Sequence, residues 1–288
     1  MAPPPPARDN GRVPESPEVD ALAGFVRANA VGRVIREVDL EEFRALKTRA
    51  RPLTELSGRT VAGVRCFGKH VAIDTDGSSL LIGFGRAGWA RWAEEPAPDP
   101  DDAPPVIVRV RFEDGAELAL TDAGDWLSLN VSVTEDATSE PSVAKLGPDP
   151  LSDRFTREAF DAIAKGRRKQ LKALLQEQES LAGIGNAYSD EILHAAKLSP
   201  VAHAASLTDA ERGRLYAAIR DILGGAFAAR RDVPLDRQKA EKVAAMRVHG
   251  RTGEVCPVCG DEVRDVPASK GNAQYCATCQ TGGVPLEG

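Results

Sequence analysis

Four cysteines near the end of the chain have the spacing of a metal site: Cys256-Pro-Val-Cys259, sixteen further residues, then Cys276-Ala-Thr-Cys279. Two thiolate pairs so separated can close a tetrahedral site, each at the tight turn of a small ribbon, and zinc is the expected ion. Two disulfides, a redox-active pair and a four-thiolate iron site are the alternatives. Flanks rich in Gly, Asp and Lys read as hairpin segments instead of a strand-to-helix turn, and no secretory signal precedes them, which favours the metal. With every position filled by cysteine, the ion would be structural. A second feature is Gly183-Ile184-Gly185-Asn186. Its glycines permit a tight turn and close backbone approach, Asn186 is expected to cap the helix behind it, and free amides there would cradle a phosphate. By itself such a stretch is only a turn.

Charge distribution gives the turn a setting. The chain of 288 residues has a net charge of −6 and a pI near 5.4, which excludes a uniformly basic nucleic-acid binder. Local runs differ: Lys165, Arg167, Arg168, Lys169 and Lys172 precede the turn, and Arg230, Arg231, Arg237, Lys239, Lys242, Arg247 and Arg251 precede the cysteines. Two basic groups bracketing a helical turn and a metal ribbon suggest a phosphate-facing surface. No run approaches the length of a membrane span, so a cytoplasmic protein without a membrane partner is expected.

The elements that must hold these groups read as an α+β multidomain chain. Residues 1–13 are a Pro-rich tail that cannot bury enough to fold. A helix follows, with Val19, Leu22, Phe25 and Val26 on one face and Gly32 beyond its end. Short β-rich segments then run over 31–40, 60–65, 70–74, 79–84, 106–112 and 117–121, an antiparallel β-sandwich flanked by helix within a domain of residues 14–133. Residues 94–105 are acidic and Pro-rich, expected to be a mobile surface insertion. Residues 134–150 read as a linker, 151–250 as a helical domain with helices over 156–163, 169–177, 186–195 and 208–228, and 251–288 as the metal ribbon.

In this order the chain carries Pro14-Glu15 with Pro17-Glu18-Val19, Gly68-Lys69-His70, 146–151 (Leu-Gly-Pro-Asp-Pro-Leu), 171–175 (Leu-Lys-Ala-Leu-Leu), 182–193 around the glycine turn, His249-Gly250-Arg251, and the four cysteines followed by Gln280. This series resembles the formamidopyrimidine-DNA glycosylase and endonuclease VIII family of base-excision repair enzymes, over residues 14 to 283. The resemblance implies a β-sandwich, a helix-two-turn-helix domain and a zinc ribbon, with double-stranded damaged DNA held between the halves. It implies a monomer with one structural zinc ion and no organic cofactor. Pro14 corresponds to the nucleophile, Glu15 to its acid/base partner and Lys69 to a catalytic or phosphate-orienting lysine, with Lys172 and Asn186 on backbone phosphates. The chemistry is coherent: a terminal proline offers a secondary amine that can attack a deoxyribose C1′ and form an iminium. Glu15 can then move protons as the strand is cleaved by β- or β/δ-elimination.

That chemistry carries a condition. Inside the chain the Pro14 nitrogen is a tertiary amide and no nucleophile, so the active form is expected to begin at Pro14, by removal of residues 1–13 or by initiation at Val13. Departures from the family pattern bear on the substrate. Arg86 stands where a wedge such as methionine is usual and could fill the gap or contact phosphate, Gly83 replaces a histidine, and residues 121–126 lack the paired arginines and phenylalanine of the oxidised-guanine enzymes. Gly271 replaces a phosphate-gripping arginine, leaving Lys270 to supply charge, and Ser16 replaces a leucine. The expected activity is thus glycosylase and AP lyase with the preferred base open, and a non-catalytic damaged-DNA-binding protein is the alternative. Cys66 reads as a small buried hydrophobe, His70 as structural, Trp89 and Trp92 as core or rim aromatics, and His194, His203 and His249 as outside the metal set.

Overall fold

The computed structural model describes residues 13–48, 50–269 and 272–287. The expected tail therefore lies outside the described residues apart from Val13, and so do Lys270 and Gly271. Helix α1 (Ser16–Ala30) opens with Pro17 in its first turn, where a missing N–H costs nothing, and buries Val19, Leu22, Ala23 and Val26. Among the described residues eight strands follow: β1 (Ile35–Leu40), β2 (Val61–Phe67), β3 (His70–Thr75), β4 (Ser79–Gly83), β5 (Gly88–Ala93), β6 (Val106–Phe112), β7 (Glu117–Asp122) and β8 (Asn130–Thr134). They form two four-stranded antiparallel sheets, ordered β1-β6-β7-β5 and β2-β3-β4-β8. Val64, Ile73, Leu80, Ile82, Val110, Leu118, Leu120 and Val131 fill the space between them.

Two of these strands carry no clear period in the sequence. β5 mixes Gly, Ala, Arg and two tryptophans, and only its pairing with β7 fixes it as a strand. β8 has too few residues to alternate convincingly, yet Val131 and Val133 pair with Ile82 and Leu80. The acidic stretch 94–105, expected to be mobile, is tied to the outer face of the first sheet, Glu94 by Arg33 at 2.9 Å and Asp99 by Arg91 and Arg109. Between the halves, residues 134–150 carry a short helix, α2 (Pro141–Ala144). Ala137 and Val143 pack there on Ala72 and Leu81, on the outer side of the second sheet.

The second half holds α3 (Arg157–Ala164), α4 (Leu171–Gln176), α5 (Asn186–Ala196), α6 (Asp209–Arg230) and α7 (Gln238–Ala245). Phe155, Phe160, Leu174, Tyr188, Ile192, Leu215 and Ile219 make its core. Thr208 and Glu211 exchange side-chain and backbone hydrogen bonds at the start of α6, closing a capping box. The ribbon adds β9 (Val263–Asp265), β10 (Gln274–Cys276) and α8 (Ala277–Gln280). Two buried carboxylates on α5 fasten it. Glu191 accepts the backbone N–H groups of Arg247, Val248 and His249 at 2.9 Å each. Asp190 meets His249 Nδ1 at 2.8 Å and the Gln274 N–H at 3.2 Å.

The halves meet glycine to glycine. Gly68, at φ +55° in the β2–β3 turn, and Gly183, at φ +86°, face each other so closely that a Cβ on Gly68 would lie 3.1 Å from the Gly183 nitrogen. A Cβ on Gly183 would lie 2.4 Å from the Ser16 Cβ, and the Ser16 N–H donates to the Gly183 carbonyl at 3.0 Å. Ser16 is therefore a packing residue at a seam with no room for a larger neighbour.

Candidate active site

A cleft of about 530 Å³ opens at this seam, lined by Val13, Lys69, Gly85, Arg86, Gln176, Gly185, Asn186 and Asn272. Pro14 and Glu15 are buried directly behind this lining, Pro14 next to Val13 in the chain and Glu15 in contact with Gly185. The structure thus brings Pro14, Glu15, Lys69, Arg86 and Asn186 to one place from the start of α1, two loops of the sandwich and the start of α5. Lys270 lies outside the described residues, between Ser269 and Asn272, which line an adjoining cavity of about 440 Å³ with Lys172.

Glu15 organises the floor. Its carboxylate accepts the Gly185 N–H, the Ala187 N–H at 2.9 Å and the Tyr188 N–H at 3.4 Å. A side chain 170 residues away thus occupies the N-terminus of α5, where orphan amides and the helix dipole favour an anion. Two expectations change as a result. Asn186 does not cap α5: it is the first helical residue, and its Oδ1 accepts from Gln176 Nε2 at 3.1 Å. Nor do these amides form a free phosphate cradle, since the protein's own carboxylate fills it. Gly185 is required because a Cβ would fall 2.5 Å from the Glu15 Cδ and 2.6 Å from Lys69 Nζ.

Beneath Glu15 sits a residue whose role the sequence did not suggest. Lys242, on α7, is 1 % exposed and bonds Glu15 Oε1 at 3.2 Å, Glu18 Oε2 at 3.0 Å and the Val13 carbonyl at 3.0 Å. Glu18 also accepts the Tyr188 hydroxyl at 2.6 Å and faces Arg230 Nε at 3.4 Å. Burial alone would raise the Glu15 carboxyl, but Lys242, then Lys69, then the Ala187 and Gly185 amides outweigh it and hold the group below the ordinary carboxylate range. Burial pushes the Lys69 amine down, with the Glu15 charge opposing and Lys242 adding to the fall. For Lys242 the burial penalty is outweighed by Glu15 and Glu18, so its ammonium is retained.

Other expected contacts are differently employed. The Lys172 ammonium is spent on Asp190 Oδ1 at 2.6 Å, the Asn186 carbonyl at 3.0 Å and Ser189 Oγ at 3.0 Å. Arg167 and Lys169 share Glu177, Arg237 pairs with Glu241 and Arg251 with Glu254, so much of the basic surface is compensated. Arg86 has no ion-pair partner among the described residues; its N–H donates to Ser128 Oγ at 2.9 Å. Ser128 in turn hangs on Asp122, whose carboxylate also accepts the Gly124, Ser128 and Leu129 amides. That bracing holds a neighbouring loop from which Trp126 projects, 87 % exposed. Trp89 and Trp92 are core aromatics, the first buried and the second packed on Phe112 and Phe25. Cys66 packs on the sandwich core, its thiol pushed up to about 12 by burial.

The four ribbon cysteines place their Sγ atoms within 4.8 Å of one another. Cys256 and Cys279 stand 3.9 Å apart and Cys259 and Cys276 3.3 Å, near the edge of about 3.8 Å for a tetrahedron with metal–sulfur bonds of about 2.3 Å. The cluster can hold a metal ion, and His194 Nε2 lies 3.3 Å from Cys256 Sγ, tying α5 to the site. No helix among the described residues is long and apolar enough to cross a membrane.

Known proteins match this architecture end to end. The formamidopyrimidine-DNA glycosylase N-terminal domain matches residues 13–125 and the formamidopyrimidine-DNA glycosylase H2TH domain residues 146–233. The formamidopyrimidine-DNA glycosylase of Symbiobacterium thermophilum is 30 % identical over 93 % of this chain and 89 % of its own. An uncharacterized formamidopyrimidine-DNA glycosylase-like protein of Mycobacterium tuberculosis is 42 % identical over 51 % of this chain and 91 % of its own. Among solved structures, Lactococcus lactis formamidopyrimidine-DNA glycosylase bound non-covalently to DNA with an AP site superposes with a TM-score of 0.80 at 25 % identity, covering 92 % of this chain and 99 % of that one. The Thermus thermophilus protein gives 0.79 at 29 % identity, covering 94 % and 100 %. The chain belongs to the formamidopyrimidine-DNA glycosylase and endonuclease VIII family of DNA repair glycosylases.

Proposed function

We propose that this chain is a DNA glycosylase with AP lyase activity on damaged duplex DNA, working through the secondary amine of Pro14 once that residue is N-terminal. The observation that carries the reading is the buried Glu15 carboxylate, held anionic beside Pro14 directly behind the lining of a cleft. As an anion it can take a proton from the Pro14 ammonium, leaving a free amine to attack C1′. The departing base takes the proton that the amine gives up on attack, and the proton held by Glu15 then serves the sugar ring oxygen as the ring opens to the iminium. Removal of a C2′ proton and expulsion of the 3′ phosphate would cut the strand, and water would release the enzyme. Lys69, on a long stem at the cleft wall, is suited to orienting phosphate.

DNA must be kinked and the vacated position filled for this chemistry. Arg86, which lines the cleft, supplies a cation, and the exposed Trp126, on a loop braced to that of Arg86 through Ser128 and Asp122, supplies a flat apolar surface suited to a wedge. Asn186 is a phosphate contact from the opposite wall, and Lys172 supports it through the Asn186 carbonyl. Lys270 would add charge from the ribbon. Replacing Trp126 by Ala is expected to leave the melting temperature unchanged, since the side chain is exposed, and to weaken binding to abasic duplex by about 1–3 kcal/mol. Unchanged affinity in a titration would remove Trp126 from the interface.

The four thiolates are best suited to one structural zinc ion, which supplies folding energy to the ribbon and no chemistry. The base preference stays open because the oxidised-guanine readout residues are absent from 121–126. A panel of duplexes containing 8-oxoguanine, formamidopyrimidine, an oxidised pyrimidine, uracil or an abasic site tests the reading. Nicking of the abasic duplex is the expected minimum, and binding without base release or nicking would leave a damage-binding protein.

A further inference from the structure

Burying an ammonium costs several kcal/mol unless its protons and charge are all matched. Helix α7 nonetheless turns Lys242 and Gln238 inward and leaves Val243 at 49 % exposure. The three protons of Lys242 meet three acceptors: the Val13 carbonyl at 3.0 Å, Glu15 Oε1 at 3.2 Å and Glu18 Oε2 at 3.0 Å. That carbonyl is bonded through carbon to the Pro14 nitrogen. Amide oxygen and nitrogen lie about 2.3 Å apart, so Lys242 Nζ stands within about 5.3 Å of the Pro14 nitrogen.

We propose that Lys242 is a positioning residue for the Pro14–Glu15 centre, fixing the Glu15 carboxylate by a direct bond and standing as a permanent positive charge beside the Pro14 nitrogen. The role rests on the glycosylase and lyase reading. In a chain beginning at Pro14 the Val13 carbonyl is gone, and the Lys242 N–H that it accepted is left facing the amine. A cation there disfavours a second one, so the amine is more readily the free base that attack requires. The other charged or titratable groups facing this point are Glu15 and Glu18 at the start of α1, Lys69 from the β2–β3 turn, Tyr188 from α5 and Arg230 from α6. Loss of the Lys242 charge therefore moves both the carboxyl and the amine midpoints upward.

The carboxyl is read without DNA, by following the ¹³C resonance of Glu15 against pH in the full chain. Its midpoint is expected below the ordinary value of about 4.3. Lys242→Gln should raise it by about one unit or more, and Lys242→Arg should restore it. An unshifted midpoint in Lys242→Gln overturns the proposal, and so does an ordinary or raised midpoint in the unsubstituted chain, which needs no variant to fold. In protein beginning at Pro14, Lys242→Gln should also move the pH midpoint of borohydride trapping on abasic DNA upward. A lower amplitude at an unmoved midpoint is what a merely structural lysine gives, and it contradicts the proposal. Absence of trapping in the unsubstituted protein at every pH defeats the lyase reading instead, while the carboxyl titration still decides whether Lys242 holds Glu15.

Discussion

Glu15→Gln protein beginning at Pro14 is expected to release base and nick abasic DNA about 10²–10⁴-fold more slowly than the unsubstituted form. The amide cannot carry a proton between the amine and the sugar, so the ring oxygen receives none as the iminium forms. The substitution also disturbs the floor. Glu15 accepts three amides at the start of α5 and bonds Lys242, and removing one partner of a buried ion pair costs about 3–5 kcal/mol. Stability and activity are therefore measured together, and the activity loss is scored on the folded fraction. Because the folded-state Glu15 value is depressed, its contribution to stability is complete above the unfolded value of about 4.3 and is lost as pH falls through the folded value. The variant should show a flatter fall of melting temperature over that acid range. Full activity in folded Glu15→Gln would remove Glu15 from the chemistry.

Removal of the ribbon metal is expected to weaken specific DNA binding at least about tenfold. A structural zinc ion on four thiolates contributes about 10–16 kcal/mol of apparent binding energy, which is folding energy for the ribbon. Its loss would propagate, because Asp190 and Glu191 on α5 are satisfied by the ribbon and its approach segment. Freed of those partners, two buried carboxylates are left with unmet hydrogen bonds, and Lys172 loses the fixed position of Asp190. Elemental analysis should find one zinc per chain. Chelation, or Cys279→Ser, should lower affinity for abasic duplex by at least about tenfold, 1.4 kcal/mol. Retained affinity in zinc-free protein would show that the ribbon does not face the DNA.

What could be seen in the sequence was what local chemistry announces. The cysteine spacing, the glycine turn and the apolar face of α1 each follow from a few adjacent residues, and they placed the metal cluster, the seam and the first helix. Glu15 was legible as a reactive group but not as the cap of α5, because its partners are 170 residues away. Asn186 looked like the cap because it is a good local one. α7 escaped because its buried face is polar: Gln238 and Lys242 point inward, so a search for apolar period reads the helix inside out. In the sequence Lys242 is one of a basic run and has nothing to distinguish it from an exposed lysine. Trp126 had a weak signal, a lone large aromatic in a Gly- and Asp-containing turn, and only its exposure makes it conspicuous.

The central claim, that the Pro14 amine is the nucleophile, is tested most directly by locating the covalent bond. Protein beginning at Pro14 is incubated with abasic duplex and borohydride, digested, and the adduct mapped by mass spectrometry. The expected result is an adduct on the Pro14 nitrogen, with none formed by the chain that retains residues 1–13. An adduct on Lys69, or equal trapping of the chain in which Pro14 is an internal amide, would contradict it.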